Sequence, residues 1–234
     1  MAGRPPAVVL KRVECAEEAT WAQEVLSRIE PDGFRVATPV RAASGAWVHE
    51  GWIAHRFIEG LRPLAPAWDE IIAAGLAFGD AATRVWPDEQ ADALTTRGHR
   101  WAVADRVAWG DASVAAPPEV EDVCAQLRAL CGPVEGPRQV IHGDLSGNVF
   151  VDPDGVPVVL DFSPYLRPRL WAAAIVVTDA VLWHGAPPAG LDRYPDLASR
   201  ALLFRLVADL LAPGSDPGRY LGSYRAAVGA LSRS

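Results

Sequence analysis

The chain has 234 residues, of which 50% are hydrophobic and 22% are charged, and its formal net charge at pH 7 is −7. This length suffices for one large domain or two modest ones with a buried core. The acidic balance argues against a general nucleic-acid binder, which needs a basic face, so no nucleic-acid partner is expected.

Neither a secretion signal nor a membrane anchor is predicted. The first residues lack the apolar stretch and cleavage site of a signal peptide. The most apolar segment, 170–183, is too short to span a bilayer and contains Asp179, so it reads as a buried helix. The three cysteines, Cys15, Cys124 and Cys131, form no Cys-x-x-Cys pair. We therefore expect reduced thiols, a cytoplasmic location and no membrane partner.

The start of the chain predicts the order strand, helix, strand, strand, strand. A short β-like run ends at Lys11, and an amphipathic helix begins near Ala16. Residues 34–42 and 45–60 then read as strands separated by a Ser-Gly turn. Beyond Gly60 the pattern changes to helices, at 67–86, 118–131, 170–183 and 196–212. The sequence thus predicts a small mixed lobe and then a helical lobe with one embedded hairpin.

Lys11 is the only lysine in the chain, against many arginines. The two cations differ in shape and hydration, so a lysine that survives in an arginine-rich composition hints that an ammonium is specifically needed. Taken alone, a surface remnant near the terminus is the simpler interpretation.

The stretch "VFVDPDGVPVVLDF" reads as two β-strands joined by a three-residue Pro-Asp-Gly loop. Counting outward from that loop, Asn148 faces Leu160, which is next to Asp161. Opposed residues in antiparallel strands lie about 5 Å apart, so Asn148 and Asp161 are expected within reach of one small ligand. Asp144 lies four residues before Asn148, at the same end of the hairpin.

These side chains have the chemistry of a phosphate-transfer site. Mg²⁺ takes oxygen ligands and is typically held by one or two protein groups plus phosphate oxygens and water. The remaining carboxylate, Asp144, can accept a proton from a hydroxyl that attacks a phosphate. Helix capping and an exposed strand end explain each residue taken singly, but they do not explain the whole set.

The segments "VIHGDLSGNVFV" and "VVLDFS" resemble the catalytic core of the aminoglycoside phosphotransferase and choline kinase-like family, whose members are relatives of protein kinases. The resemblance implies an α+β, protein-kinase-like two-lobe fold with a truncated small mixed N-lobe and a larger, mainly helical C-lobe that carries the catalytic hairpin. Residues 1–59 would form the partial N-lobe and hinge, and residues 60–234 the C-lobe. The catalytic loop would be 140–148 and the metal-binding segment 157–163.

The resemblance also implies roles for the residues of the hairpin. Asp144 would be the catalytic base, and Asn148 and Asp161 the Mg²⁺ ligands, as in the related protein kinases. His142 would be a scaffold residue that bonds the backbone of the loop. Ser146 lies inside a loop that is one residue shorter than usual in the family, and it would contact phosphate or metal.

Two further segments resemble the nucleotide-binding part of the same fold. Lys11 would contact the ATP phosphates and pair with a helix glutamate, with Glu18 favoured and Glu17 as the alternative. This changes the interpretation of the lone lysine from a remnant to a ligand. Backbone groups around Phe57, Ile58 and Glu59 would bond the adenine. The implied cofactors are ATP and Mg²⁺, and the implied partner is a small-molecule hydroxyl substrate.

The sequence departs from the family pattern in two further ways. The chain begins just before the lysine strand, so we expect the first two strands and the phosphate-covering Gly-rich loop to be absent. Either the start lies upstream, or the protein is a degenerate or partner-completed member. After Asp161 the chain continues as Ser163-Pro164-Tyr165 and not with the usual acidic and glycine residues.

Three functional hypotheses follow. The leading one is an ATP- and Mg²⁺-dependent kinase that transfers the γ-phosphate to a hydroxyl. The second is a non-catalytic, pseudokinase-like protein that binds a nucleotide or a partner; the expected loss of the Gly-rich loop supports it, and retention of the full residue set opposes it. The third is a metal-dependent hydrolase that uses His142, Asp144 and Asp161, and the other histidines show no ligand-like spacing in its support.

The substrate and the oligomeric state are not predicted. Trp101, Asp105, Trp109 and Asp111 place aromatic rings beside carboxylates, which is a pattern that can hold a cationic amine. Core packing explains the tryptophans more simply.

Overall fold

A computed structural model describes residues 7–86, 94 and 97–233. The chain divides into two compact units. Unit 1 comprises Met1–Trp86 and Gln139–Tyr165, and unit 2 comprises Pro87–Arg138 and Leu166–Ser234. These boundaries differ from the lobe division predicted at residues 59/60, which follows from the family resemblance and stays a prediction.

The described strands are short and fall into three sheets. They are β1 Val8–Arg12, β2 Arg35–Val36, β3 Pro39–Val40, β4 Trp52–Arg56, β5 Arg62–Pro63, β6 Arg138–His142, β7 Val149–Val151, β8 Pro157–Val159 and β9 Pro164–Pro168. One sheet has the order β1-β4-β3 and is antiparallel, a second has the order β2-β8-β7-β5, and β6 pairs with β9. The predicted order of elements up to β4 is confirmed, whereas β5 was not predicted.

The described helices lie in both units, the first two in unit 1 and the rest in unit 2. They are α1 Ala16–Arg28, α2 Trp68–Val85, α3 Arg100–Ala108, α4 Pro118–Ala129, α5 Trp171–Trp183, α6 Pro195–Leu210 and α7 Pro217–Leu231, with a 3₁₀ helix at Pro188–Arg193. The four predicted helices are confirmed to within two residues at each end. In the described part of the chain, no helix combines the length and the apolar character needed to cross a membrane.

The sequence analysis missed α7, although its signals are present. Asp216 caps the helix by accepting a hydrogen bond from the backbone N–H of Gly218 at 3.1 Å, and Pro217 occupies the first turn. Leu221, Tyr224 and Val228 recur at helical spacing and are buried.

In unit 1, α2 lies against the strands through two glycines. A Cβ atom at Gly75 would fall closer than 3.0 Å to the side chain of Leu145, and one at Gly79 would lie 3.0 Å from the carbonyl oxygen of Val140. Larger residues would hold the helix away from the loop that follows β6, so the glycines set how closely α2 can approach it.

The hairpin of β7 and β8 has the predicted register. Val149 pairs with Val159, and the backbone N–H of Leu160 donates to the carbonyl oxygen of Asn148 at 2.8 Å. The turn is fixed by Asp152, whose carboxylate accepts backbone N–H groups of Asp154 at 3.0 Å and Val156 at 2.9 Å. The turn chemistry therefore places Asn148 opposite Leu160, as predicted.

The thiol of Cys124, on α4, belongs to the interior of unit 2, and Cys131 lies just after the helix. Cys124 is 1% exposed, and burial raises the pKa of its thiol to about 11. The Cys131 thiol donates to the carbonyl oxygen of Leu127 at 3.3 Å. Cys124 matches the interpretation of a core thiol, which is inert at neutral pH, whereas Cys131 is partly exposed.

A buried ion pair joins α5 to α6. Arg205 donates from Nε to Asp179 Oδ1 at 2.8 Å and from Nη2 to Asp179 Oδ2 at 2.6 Å. The two side chains are 2% and 1% exposed, so each charge depends on the other for compensation. This explains an aspartate in the most apolar segment of the chain.

The substitution Asp179→Ala should destabilise the protein by about 3–5 kcal/mol, because it leaves a buried guanidinium without its counter-charge. Urea unfolding measures the change. The control is Glu121→Ala, which removes an ion pair with Arg128 whose side chains are 46% and 42% exposed. It should cost less than about 1 kcal/mol. Equal losses in the two variants would contradict the assignment of the Asp179 pair as a buried one.

Candidate active site

The loop after β6 is held by the imidazole of His142, which is fully buried. The backbone N–H of Asp144 donates to His142 Nδ1 at 3.1 Å, and His142 Nε2 lies 2.9 Å from the carbonyl oxygen of Leu160. Because Nδ1 accepts, Nε2 carries the proton and donates to Leu160. Burial lowers the pKa of His142 below its ordinary value, although the bond to Leu160 opposes this. These contacts are the ones expected of the predicted scaffold role.

Aromatic rings enclose this imidazole. The ring of Phe78 on α2 lies 5.8 Å from the His142 ring and 4.8 Å from the ring of Phe162, between centroids. The Phe162 ring lies 5.8 Å from that of His142. All three contacts are edge-to-face, an arrangement that favours aromatic packing. The loop is therefore anchored on an apolar cluster and not on solvent-exposed groups.

Asp144 and Asn148 are joined across a short turn. The Asn148 amide nitrogen donates to the backbone carbonyl of Asp144 at 2.7 Å and to its Oδ2 at 3.2 Å. The backbone N–H of Asn148 bonds Leu145 O at 3.0 Å, so the shortened spacing closes as a tight turn. The side-chain nitrogen of Asn148 faces Asp144, so the amide oxygen is the atom of this side chain that can coordinate a cation.

Asp161 follows β8 in a left-handed conformation, with a φ of 51°. Such a conformation is uncommon outside glycine, and it recurs at functional sites. The carboxylate forms an ion pair with the ammonium of Lys11, and these side chains are 45% and 49% exposed. On α1, Glu18 is half-buried and Glu17 is exposed. The predicted pairing of Lys11 with Glu18 stays a prediction.

A cavity of about 470 Å³ brings together five of the predicted site residues. They are Lys11, Phe57, Ile58, Asn148 and Asp161. The other wall residues are mainly apolar: Val9, Leu26, Ala37, Leu61, Phe150, Val159, Leu160 and Phe162, with His55, Arg56, Gly60 and Gly147. The remaining predicted residues are not part of this wall: Glu18, His142, Asp144 and Ser146.

Asp144 and Ser146 are two of the predicted residues outside the cavity wall. Asp144 is adjacent to the cavity, because it accepts hydrogen bonds from Asn148, which lines the wall. Ser146 is 7% exposed, and its predicted contact with phosphate or metal stays a prediction.

His55 is a pocket residue that the sequence analysis missed. It lies on β4 opposite Val9, and burial lowers the pKa of its imidazole, with Asp161 raising it and Lys11 lowering it further. The pKa of His55 therefore depends on the charges of both Lys11 and Asp161. The spacing of His55 carried no signal, since it shows no ligand-like pattern with the other histidines.

The hydrolase hypothesis requires His142 as a metal ligand, but its two ring nitrogens are engaged with backbone groups of the loop. Within residues 7–86, 94 and 97–233, no three or more His, Cys, Asp or Glu side chains are grouped so that they could hold a metal ion. The side-chain oxygen donors in the pocket wall are the carboxylate of Asp161 and the amide oxygen of Asn148.

The candidate amine site in unit 2 is filled by the chain itself. Arg167 donates to both carboxylate oxygens of Asp105, at 3.0 and 2.7 Å, and to Asp111 at 3.2 Å. Its guanidinium carbon and that of Arg200 each lie 4.8 Å from the ring centroid of Trp109. Burial raises the pKa of Asp105, and the hydrogen bonds from Arg167 oppose this. These carboxylates and rings therefore hold internal arginines.

The sequence matches the profile of the Phosphotransferase enzyme family (APH) over residues 2–165. No curated protein gives a significant match.

Among solved structures, choline kinase LicA from Streptococcus pneumoniae is 14% identical with a TM-score of 0.57, over 98% of this chain and 87% of that one. A choline/ethanolamine kinase family protein from Mesorhizobium loti is 17% identical with a TM-score of 0.57, over 99% and 84%. The AMP-bound spectinomycin phosphotransferase APH(9)-Ia is 12% identical with a TM-score of 0.55, over 97% and 87%. These similarities confirm the α+β, protein-kinase-like fold.

The buried imidazole of His142 should make stability depend on pH. In the unfolded chain it takes up a proton as the pH falls through about 6.5, whereas the folded state resists protonation. The stability from this group is thus present above that pH and is lost as the pH falls towards the lowered pKa of the folded state.

We expect the free energy of unfolding to fall less steeply between about pH 7.5 and pH 5 in His142→Asn than in the wild type. Urea unfolding at several pH values measures the slopes. His49→Asn, which removes an exposed imidazole, is the control. The same slope in His142→Asn and the wild type would contradict the assignment.

Proposed function

The chain belongs to the phosphotransferase enzyme family, and from this premise we propose that it is an ATP- and Mg²⁺-dependent small-molecule kinase that transfers the γ-phosphate to a substrate hydroxyl. The observation that carries the proposal is the common wall formed by Lys11, Asn148 and Asp161, with Asp144 bonded to Asn148. Phosphoryl transfer needs a cation that contacts the phosphates, oxygen donors that hold a metal ion and a carboxylate that acts on the acceptor. Lys11 provides the first, Asn148 and Asp161 the second, and Asp144 the third.

The mainly apolar part of the cavity suits a nucleobase. Aliphatic and aromatic side chains line it, and Phe57 and Ile58 place the end of β4 at its edge. Ligand sites are typically concave and apolar with a few placed polar groups. Spectinomycin phosphotransferase, a structure with the same fold, is known in an AMP-bound complex, which supports nucleotide binding by this chain.

The polar part of the cavity fits a hard divalent cation. Asp161 supplies a carboxylate and Asn148 an amide oxygen, which with phosphate oxygens and water is the ligand chemistry that Mg²⁺ prefers. Bound Mg²⁺ would neutralise charge on the phosphates. We infer that the ion pair of Lys11 with Asp161 is exchanged when a nucleotide binds, the ammonium for phosphate oxygens and the carboxylate for the cation.

Asp144 is the group proposed to act on the acceptor. Its backbone N–H is fixed by His142 and its carboxylate by Asn148, so its position is set independently of any substrate. A carboxylate held in this way can orient a hydroxyl and take its proton as the phosphoryl group is transferred. A non-catalytic nucleotide-binding protein remains the alternative, and the second experiment below separates the two.

Calorimetric titration of ATP should show binding that requires Mg²⁺ and is lost in Asp161→Asn, because the substitution removes the carboxylate donor. Asp154→Asn is the matched control, since its carboxylate is 70% exposed in the hairpin turn and outside the cavity. It should bind ATP as the wild type does. Binding that is indifferent to Mg²⁺ and to Asp161→Asn would refute the proposed metal site.

Transfer from γ-labelled ATP to a panel of small amino alcohols and sugars should be detectable, and Asp144→Asn should reduce the rate by about 10²–10⁴-fold without abolishing ATP binding. Loss of a positioned base lowers turnover more than affinity. ATP binding with no transfer to any acceptor would favour the non-catalytic alternative.

A further inference from the structure

The segment that follows Asp161 departs from the family pattern at Ser163-Pro164-Tyr165, and the structure gives that departure a position. The side chain of Tyr165 is 4% exposed and lies against Gly143, the residue between His142 and Asp144. A Cβ atom at Gly143 would lie closer than 3.0 Å to two carbons of the Tyr165 ring and 3.5 Å from its Cγ. The ring therefore occupies the space of the side chain that Gly143 lacks.

Tyr165 is the last of several contacts between the same two segments. The Leu160 carbonyl oxygen is bonded by His142, and the Phe162 ring packs on that imidazole. The Ser163 carbonyl oxygen accepts the backbone N–H of Gly143 at 2.9 Å. The segment 160–165 thus contacts His142 first and then Gly143, the residue that adjoins Asp144.

The backbone conformation of the loop at Gly143 is not restrained by a side chain of its own. A residue without a side chain has more backbone freedom than any other, so its conformation depends on restraints from neighbouring groups. The ring of Tyr165 and the hydrogen bond to Ser163 restrict Gly143 from two directions. A rotation at Gly143 would be carried directly into the orientation of the Asp144 carboxylate.

We propose that Tyr165 is a positioning residue for Asp144, acting through Gly143; the proposal rests on the proposed function of Asp144 as the group that orients the acceptor. The ring touches the loop and not the nucleotide pocket, whose wall does not include it. Its removal should therefore change turnover and leave nucleotide affinity alone. A misplacement of about 1 Å at a reacting group can cost about 10²-fold in rate.

The test compares Tyr165→Leu, which removes the ring, with Tyr165→Phe, which keeps it. The control is Tyr224→Leu in unit 2, because Tyr224 is 1% exposed and packs far along the chain from the loop. Two quantities are measured for each protein: kcat and KM for ATP turnover, and the hydrogen exchange of the backbone amides of Gly143 and Asp144.

In Tyr165→Leu we expect kcat to fall by about 10²-fold with KM for ATP unchanged, and the two loop amides to exchange at least about tenfold faster. The amide of Leu160, which belongs to the hairpin, should keep its protection. Tyr165→Phe should restore both readouts, and Tyr224→Leu should lower stability without changing either one.

A Tyr165→Leu protein with wild-type kcat and wild-type exchange at Gly143 and Asp144 would overturn the proposal. So would a loss of kcat in Tyr224→Leu as large as in Tyr165→Leu, because general destabilisation would then explain both. The exchange measurement needs no nucleotide. If the wild type binds and turns over no ATP, the proposed function fails, and faster exchange confined to the two loop amides still supports Tyr165 as the residue that orders the loop.

Discussion

The imidazole of His142 is a buried polar group whose two nitrogens must both find partners, because an unpaired one would cost about 1–3 kcal/mol. The partners are the backbone N–H of Asp144, in the loop after β6, and the carbonyl oxygen of Leu160, directly after β8. Satisfying one ring therefore fixes the separation of the loop that carries Asp144 from the segment that carries Asp161. The relative position of the two segments in the candidate site therefore depends on these hydrogen bonds. The aromatic cluster with Phe78 shields the imidazole from water.

The anchors of the site are buried and its chemical groups are not. Asp161 and Lys11 are about half exposed, at 45% and 49%, while the residues that hold the flanking backbone, His142 and Phe162, are at most 8% exposed. Rigid support beneath exposed groups is the arrangement expected of a preorganised site, since ligands then meet side chains whose backbone does not need to reorganise. The glycines of α2 contribute by letting the helix approach Leu145 closely.

Local chemistry made the hairpin predictable: a Pro-Asp-Gly loop has few geometries, and counting from it set Asn148 against Leu160. Helices with clear periodicity were predictable for the same reason. The rest depends on tertiary contacts that spacing does not encode. Arg167 meets Asp105 across 62 positions, so the carboxylate looked available to a ligand when it was already paired. His55 escaped because its neighbours on the strand face, and not its own spacing, make it a pocket residue.

Because Lys11 is the only lysine of the sequence, its position in the cavity wall has a consequence for chemical labelling. Besides the α-amino group, this side chain is the one amine among the 234 residues of the sequence. It is half exposed and lines the cavity. Acylating reagents, which attack amines and leave guanidinium groups intact, consequently find one side-chain target, and that target is the pocket wall itself. Acylation of Lys11, read from a peptide that contains it and lacks the α-amino group, thus reports occupancy of the cavity, and immobilising the protein through its lysine would block that cavity.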